Sequence, residues 1–138
     1  AIKQWGTQAW NHYGHIKVAI TNAARSPVDE ASSTPKPERR IAARISEFSA
    51  VGPLLASTDL IATLPPEIMA WDMQTYGLVP LPAITPMPPF RVRFFWSSRT
   101  ANDPAMVWVR NLVMGAYREA HVEATALVAA RMGRELTV

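Results

Sequence analysis

An α/β fold is the class this sequence predicts, and three features predict it. Short apolar runs rich in isoleucine, valine and leucine recur at residues 15–21, 40–46 and 60–64. Segments with helix-start and helix-stop punctuation lie between and after them. Strands that alternate with helices need a sheet with helices on its faces, parallel or mixed in direction.

Taking the chain in order, residues 1–14 read as an irregular, aromatic-rich lead-in carrying Trp5, Trp10 and Tyr13. HIKVAIT, residues 15–21, puts Ile16, Val18 and Ile20 on one face of a strand. The polar stretch NAARSPVDEASSTPKPE follows, where Pro27, Pro35 and Pro37 oppose a long helix. RRIAARIS, residues 39–46, alternates again, with Ile41, Ala43 and Ile45 aligned. Ser49 is placed to cap a helix running to about Ser57, with Pro53 tolerated because it falls in the first turn or so. LIATL, residues 60–64, is short and wholly apolar, as a buried strand is. PPEIMAWDMQTYG predicts a helix opened by Pro65 and Pro66, with Glu67 in its first turn and Gly77 at its end. LVPLP, residues 78–82, reads as another short strand, and the prolines at 80, 82, 86, 88 and 89 make a stiff extended crossing. FRVRFFW, residues 90–96, is the strongest strand pattern of the chain. Asp103 and Pro104 are cap and first residue of a last helix. On that helix Met106, Val109, Val113 and Tyr117 form one face, widened by Trp108, Leu112 and Ala116.

Bulk properties narrow the class further. At 138 residues, 49% apolar and 18% charged, the chain can bury a core without staples. The absence of cysteine excludes disulfides, thiolate metal sites and cysteine nucleophiles, and fits a cytoplasmic setting. No apolar run reaches the length of a membrane span, and the first ten residues lack the apolar core of a signal peptide. Residue 1 is alanine, as in a processed or trimmed product. The net charge of +3 is small, and its one visible basic cluster (Lys36, Arg39, Arg40, Arg44) is diluted by Glu38 and Glu47. With no groove-reading motif beside it, that cluster reads as a solvated strand entrance, so DNA binding by this chain alone is expected to be nonspecific at most.

Two long composite stretches resemble LysR-type transcription regulators, in particular their nodulation-regulator-like branch. ARISEFSAVGPLLASTDLIATLPPEI, residues 43–68, is similar to that branch's strand, aromatic turn, helix, strand and next helix. GLVPLPAITPMPPFRVRFFWSSRTANDPAMVWVRNLV, residues 77–113, is similar to its C-terminal pattern, and SPVDE at 26–30 fits the loop after a lobe's first strand. The resemblance implies the C-terminal part of an effector-binding domain of periplasmic-binding-protein-like (type 2) fold with a mixed sheet. Residues 15–82 would be its second lobe, and 83–138 the crossing, return strand and helix of an incomplete first lobe. The helix-turn-helix and the opening half of the first lobe would lie outside this chain. The tail GAYREAHVEATALVAARMGRELTV extends beyond the usual ending and is helix-prone, with Leu127, Val128 and Met132 available for packing.

In such folds small ligands sit where strands end, held by backbone amides and helix N-termini. The end of the first strand (Thr21, Asn22), the turn Glu47–Phe48–Ser49 and the opening Leu64–Pro65–Pro66 meet that description. By resemblance, Phe48 and Ser49 match effector-contacting positions and Pro65 a cleft rim. The plainer alternative makes Phe48 a core aromatic and Ser49 merely a cap. His12 and His15 have a chelating spacing only on a helix, which Gly14 and the following strand oppose, so no metal or other cofactor is expected. Ser97, Ser98 and Arg99 can form an anion site but match a plain loop. No nucleophile elbow, zincin motif, P-loop or dinucleotide fingerprint is present, and the adjacent pair Asp29–Glu30 points apart in an extended segment. An enzyme is the weakest reading. The leading one is an effector-sensing and self-associating regulator part that binds a small aromatic or carboxylated metabolite. The runner-up is a truncated lobe that only oligomerises. Residues 90–138 are expected to supply much of a homo-oligomer contact, because the return strand and helix lack their sheet neighbours.

Overall fold

The computed structural model describes residues 5–19, 39–84, 86, 87 and 91–135. Its centre is strand β1 (His15–Val18), which pairs in parallel with β2 (Ile41–Ile45) on one side and β3 (Ile61–Ala62) on the other, giving the order β2-β1-β3. The three runs expected to share one sheet do so. Among the described residues that sheet is wholly parallel rather than mixed. Three cross-strand bonds fix its ends: His15 N–H to Arg40 O at 2.9 Å, Ala19 N–H to Ile45 O at 2.8 Å, and Ile61 N–H to Gly14 O at 2.9 Å.

Parallel strands need helical crossovers, and the sequence supplies them with good stop and start signals. Glu47 leaves β2 extended, and a 3-10 turn (Phe48–Ala50) leads into helix α2 (Val51–Ala56). Ser49 is therefore not the expected cap. The chain is already turning at Phe48, so Glu47 occupies the extended cap position, and no side chain caps the turn. At the other end of α2 the Ser57 hydroxyl donates to Pro53 O and the Thr58 hydroxyl to Leu54 O, satisfying carbonyls the helix leaves open. Helix α3 (Pro66–Tyr76) begins at Pro65 and Pro66 and stops at Gly77, whose φ of 66° is left-handed, as the sequence predicts.

Alternation along β1 sends Ile16 and His15 to opposite faces of the sheet. On one face Ile16 joins Val51, Met69 and Met73 in the buried core, ringed by residues such as Ala43, Ile45, Leu54 and Ile68. On the other face His15, fully buried, packs its ring 4.5 Å from that of Trp10. Trp10 sits on helix α1 (Thr7–His12), so the lead-in expected to be irregular contains a helix.

Two expected strands are absent. Residues 78–82 form no strand: Pro80 and Pro82 have no amide hydrogens, while Arg131 Nη1 donates to Leu78 O at 2.8 Å and Trp5 Nε1 to Pro82 O at 2.9 Å. Residues 91–97 form no strand either, since no described strand lies beside them to complete a ladder. They run along the last helix instead, with Phe94 edge-on to Tyr117 and the Arg110 guanidinium 4.5 Å above the Trp96 ring.

That helix, α4 (Pro104–Glu135), opens as expected: Asp103 Oδ1 accepts from the amides of Ala105 at 2.8 Å and Met106 at 3.2 Å. Its 32 residues continue through the tail. The tail docks on α3 of the same chain, burying Ala124 fully, packing Leu127 and Val128 against the core, and pairing His121 with Glu67. The N-terminal half of α4 remains exposed.

His15 yields a testable consequence. Its Nε2–H donates to Trp10 O at 2.9 Å, leaving Nδ1 as the bare nitrogen. Burial lowers its pKa below the ordinary 6.5; the bond to Trp10 opposes this, and Arg39 and Arg40 add to it. The unfolded chain thus takes up a proton near pH 6.5 while the folded chain resists it, so the stability from neutral His15 is full above 6.5 and declines as pH falls toward the folded pKa. Denaturant titrations of the native chain and His15→Gln should diverge in slope between pH 7.5 and 5.5, the native chain losing more stability. Parallel profiles would refute the assignment.

Candidate functional site

Because all three strands run the same way, their carboxyl ends meet at one edge of the sheet. Val18 is level with Ile45, and Ile16 with Ala62, the last residue of β3. The turn after β2 carries half-buried Phe48 and exposed Ser49; the turn after β3 carries half-buried Pro65. These two turns flank the end of β1, with β2 and β3 about 10 Å apart at normal strand spacing. Thr21 and Asn22, expected at the same edge, lie outside the described residues.

The two turns offer different chemistry. At the α3 opening, Pro65 and Pro66 lack amide hydrogens, the Ile68 amide is used by Pro65 O at 3.2 Å, and Glu67 adds a carboxylate. That end suits an apolar or uncharged group better than an anion. The β2–α2 turn carries the half-buried Phe48 ring and, next in sequence, the exposed Ser49 hydroxyl. An aromatic ring and a hydroxyl on one turn suit a planar molecule with one polar substituent.

The remaining sequence candidates go elsewhere. Arg39 and Arg40 stand at the amino end of β2, opposite the edge bearing Phe48 and Pro65, with Arg40 Nη2 donating to His12 O at 3.3 Å. Lys36 lies outside the described residues. His12 and His15 belong to different elements, and among the described residues no three His, Cys, Asp or Glu side chains are grouped to hold a metal. Ser97 accepts the Arg99 amide at 3.2 Å, which makes that loop a capped 3-10 turn (Ser98–Thr100). No helix among the described residues is long and apolar enough to cross a membrane.

Sequence reasoning missed one feature, an apolar cavity of about 420 Å3 beside β3. It is walled by β3, by Met69 and Met73 of α3, by residues 78–84, and by Trp5 and Trp10. The aromatic lead-in and the LVPLP run were both visible in the sequence, but nothing there shows that they face each other.

No family model matches the chain. It is 29% identical over 107 residues to the HTH-type transcriptional activator NahR of Pseudomonas putida, covering 78% of this chain and 36% of that protein. It is 31% identical over 106 residues to the HTH-type transcriptional activator NagR of a Ralstonia species, covering 77% and 35%. The chain is a relative of the LysR-type regulators. Nodulation protein D 2 of Bradyrhizobium diazoefficiens, 31% identical over 101 residues, covers 72% of this chain and 31% of its own length. The chain thus spans about a third of the LysR-type relatives it matches. In fold it is similar to the crystal structure of a protein described as a transcriptional regulator from Vibrio parahaemolyticus, with a TM-score of 0.65, 21% identity, and coverage of 92% of this chain and 56% of that one.

Proposed function

We propose that this chain is the effector-sensing and self-associating part of a LysR-type transcription regulator. In this reading residues 15–82 form the second lobe of a periplasmic-binding-protein-like domain, and contact with operator DNA belongs to a helix-turn-helix outside residues 1–138. The observation that carries the sensing role is the parallel pairing, which brings the Phe48–Ser49 and Pro65 turns to one sheet edge. The named relatives are activators and a nodulation protein, which supports a regulator over an enzyme. The ligand is a small aromatic metabolite whose ring lies against Phe48 and whose polar group reaches Ser49, with Pro65 at the rim.

Amide chemical shifts should test this directly. A panel of monocyclic aromatic acids and phenols titrated into the chain should perturb amides 46–51 and 63–68 together. Phe48→Ala should weaken the binding member about tenfold, the scale of one lost ring contact. Perturbation of one turn without the other, or equal affinity in Phe48→Ala, would contradict the proposal.

Self-association rests on the N-terminal half of α4 and the segment before it. Phe95 is 87% exposed, Trp108 64% and Leu112 56%, large apolar side chains whose burial by a partner is favourable. Twofold pairing of this surface would cover it on both copies. Sedimentation equilibrium at tens of micromolar should find a dimer or larger species. Leu112→Asp should shift it toward the 15.3 kDa monomer. A native chain that is monomeric from micromolar to near-millimolar concentration would rule this out.

A further inference from the structure

The backbone of residues 91–96 is open. Among the described residues none of its amides or carbonyls is hydrogen-bonded. A row of free donors and acceptors is a template on which another strand can pair. The side chains already alternate as a strand's do: Phe94 lies edge-on to Tyr117 of α4, Trp96 stacks with Arg110 of α4, and Phe95 between them is 87% exposed. The segment thus has a filled face toward α4, an outer face with Phe95, and unused backbone bonds.

The arginines decide which strand fits. Arg91 and Arg93 alternate with Val92 and Phe94, and residues 91–97 hold no acidic side chain to face them. A second copy of the same segment is acceptable only in a register that keeps arginine from facing arginine, since like charges directly opposed are destabilising. In a twofold antiparallel ribbon opposed side chains share a face, so the axis passes a residue that faces its own copy. At Val92 the axis would set Arg91 against Arg93, at Arg93 it would set that side chain against itself, and at Phe95 it would set Arg91 against Arg99. An axis at Phe94 avoids all three. It sets Arg93 against Phe95, a cation beside an aromatic ring, Val92 against Trp96 and Arg91 against Ser97, so residues 91–97 are paired from end to end. The 3-10 turn Ser98–Thr100 begins where that pairing stops.

We propose that two copies of this chain join by pairing residues 91–97 as an antiparallel ribbon across a twofold axis at Phe94, which rests on the self-association read from α4. A two-stranded ribbon by itself is marginal in water, so the first halves of the two α4 helices form its backing.

The chain has no cysteine, so single substitutions report cleanly. In the ribbon the Cα atoms of position 93 in one copy and position 95 in the other are about 5 Å apart, within disulfide reach, whereas the two copies of position 93 are about 8 Å apart, outside it. Arg93→Cys and Phe95→Cys chains, mixed in equal amounts in a glutathione redox buffer, should give at least about tenfold more mixed disulfide than either homodisulfide by intact mass. In the unsubstituted chain every second amide within residues 92–96 should exchange more slowly at near-millimolar than at micromolar concentration, because an antiparallel pair bonds alternate residues. A dimer that gives homodisulfides as freely as mixed ones, or whose amides 92–96 stay unprotected, would overturn the ribbon and leave α4 as the interface. A chain that stays monomeric would overturn both.

Discussion

Strand β1 is buried on both faces and hydrogen-bonded on both edges, and the described elements packed around it take their positions from that. Ile16 presses on Val51, Met69 and Met73, which draws α2 and α3 onto one face of the sheet. His15 presses on Trp10, which draws the lead-in onto the other. A strand of four residues cannot hold such a place by backbone bonds alone; the burial of its alternate side chains fixes both register and direction. Gly14 shows how close the fit is, since a Cβ there would meet Ala42 Cβ and Leu60 Cδ2 at 2.7 Å, both on flanking chain segments.

From that centre the candidate site follows by geometry. Parallel partners on either side of β1 send both following turns to the same edge, so Phe48 and Pro65, 17 residues apart in sequence, flank a single strand end. Close approach of the covering helices is also built in. A Cβ at Gly52 would collide with the Asp72 carboxylate, so glycine lets α2 receive the α3 side chain directly. Helix α4 divides in two: its tail buries Ala124, pairs His121 with Glu67 of α3 and holds the Leu78 carbonyl through Arg131, while its first half presents Trp108 and Leu112 outward. The tail thus anchors the helix whose exposed half is available to a partner.

The sequence made the sheet and the helix limits readable because those depend on local signals. Alternation at Ile41, Ala43 and Ile45, prolines at 65 and 66, Gly77, and the Asp103–Pro104 pair each act within a few residues. What it misled on depends on distant partners. FRVRFFW has an ideal strand pattern, but a strand exists only where another strand accepts its bonds, and its aromatics lie on α4 instead. LVPLP failed for the same reason, aided by its prolines. Serine is a good cap, which favours position 49 from sequence alone; the earlier start of the turn at Phe48 gives that position to Glu47. The cavity was invisible because its walls come from residues as far apart as Trp5 and Val128.

Native-state hydrogen exchange at the cross-strand amides tests most directly whether the parallel sheet aligns the two turns. The amides of His15, Ala19 and Ile61 close the ends of the β2-β1-β3 arrangement. They should be among the slowest to exchange and should share one opening free energy, that of global unfolding. Exchange of the Ile61 amide at the rate of an open peptide, with His15 and Ala19 still protected, would show that β3 is not held against β1. The turn at Pro65 would then have no fixed place beside Phe48.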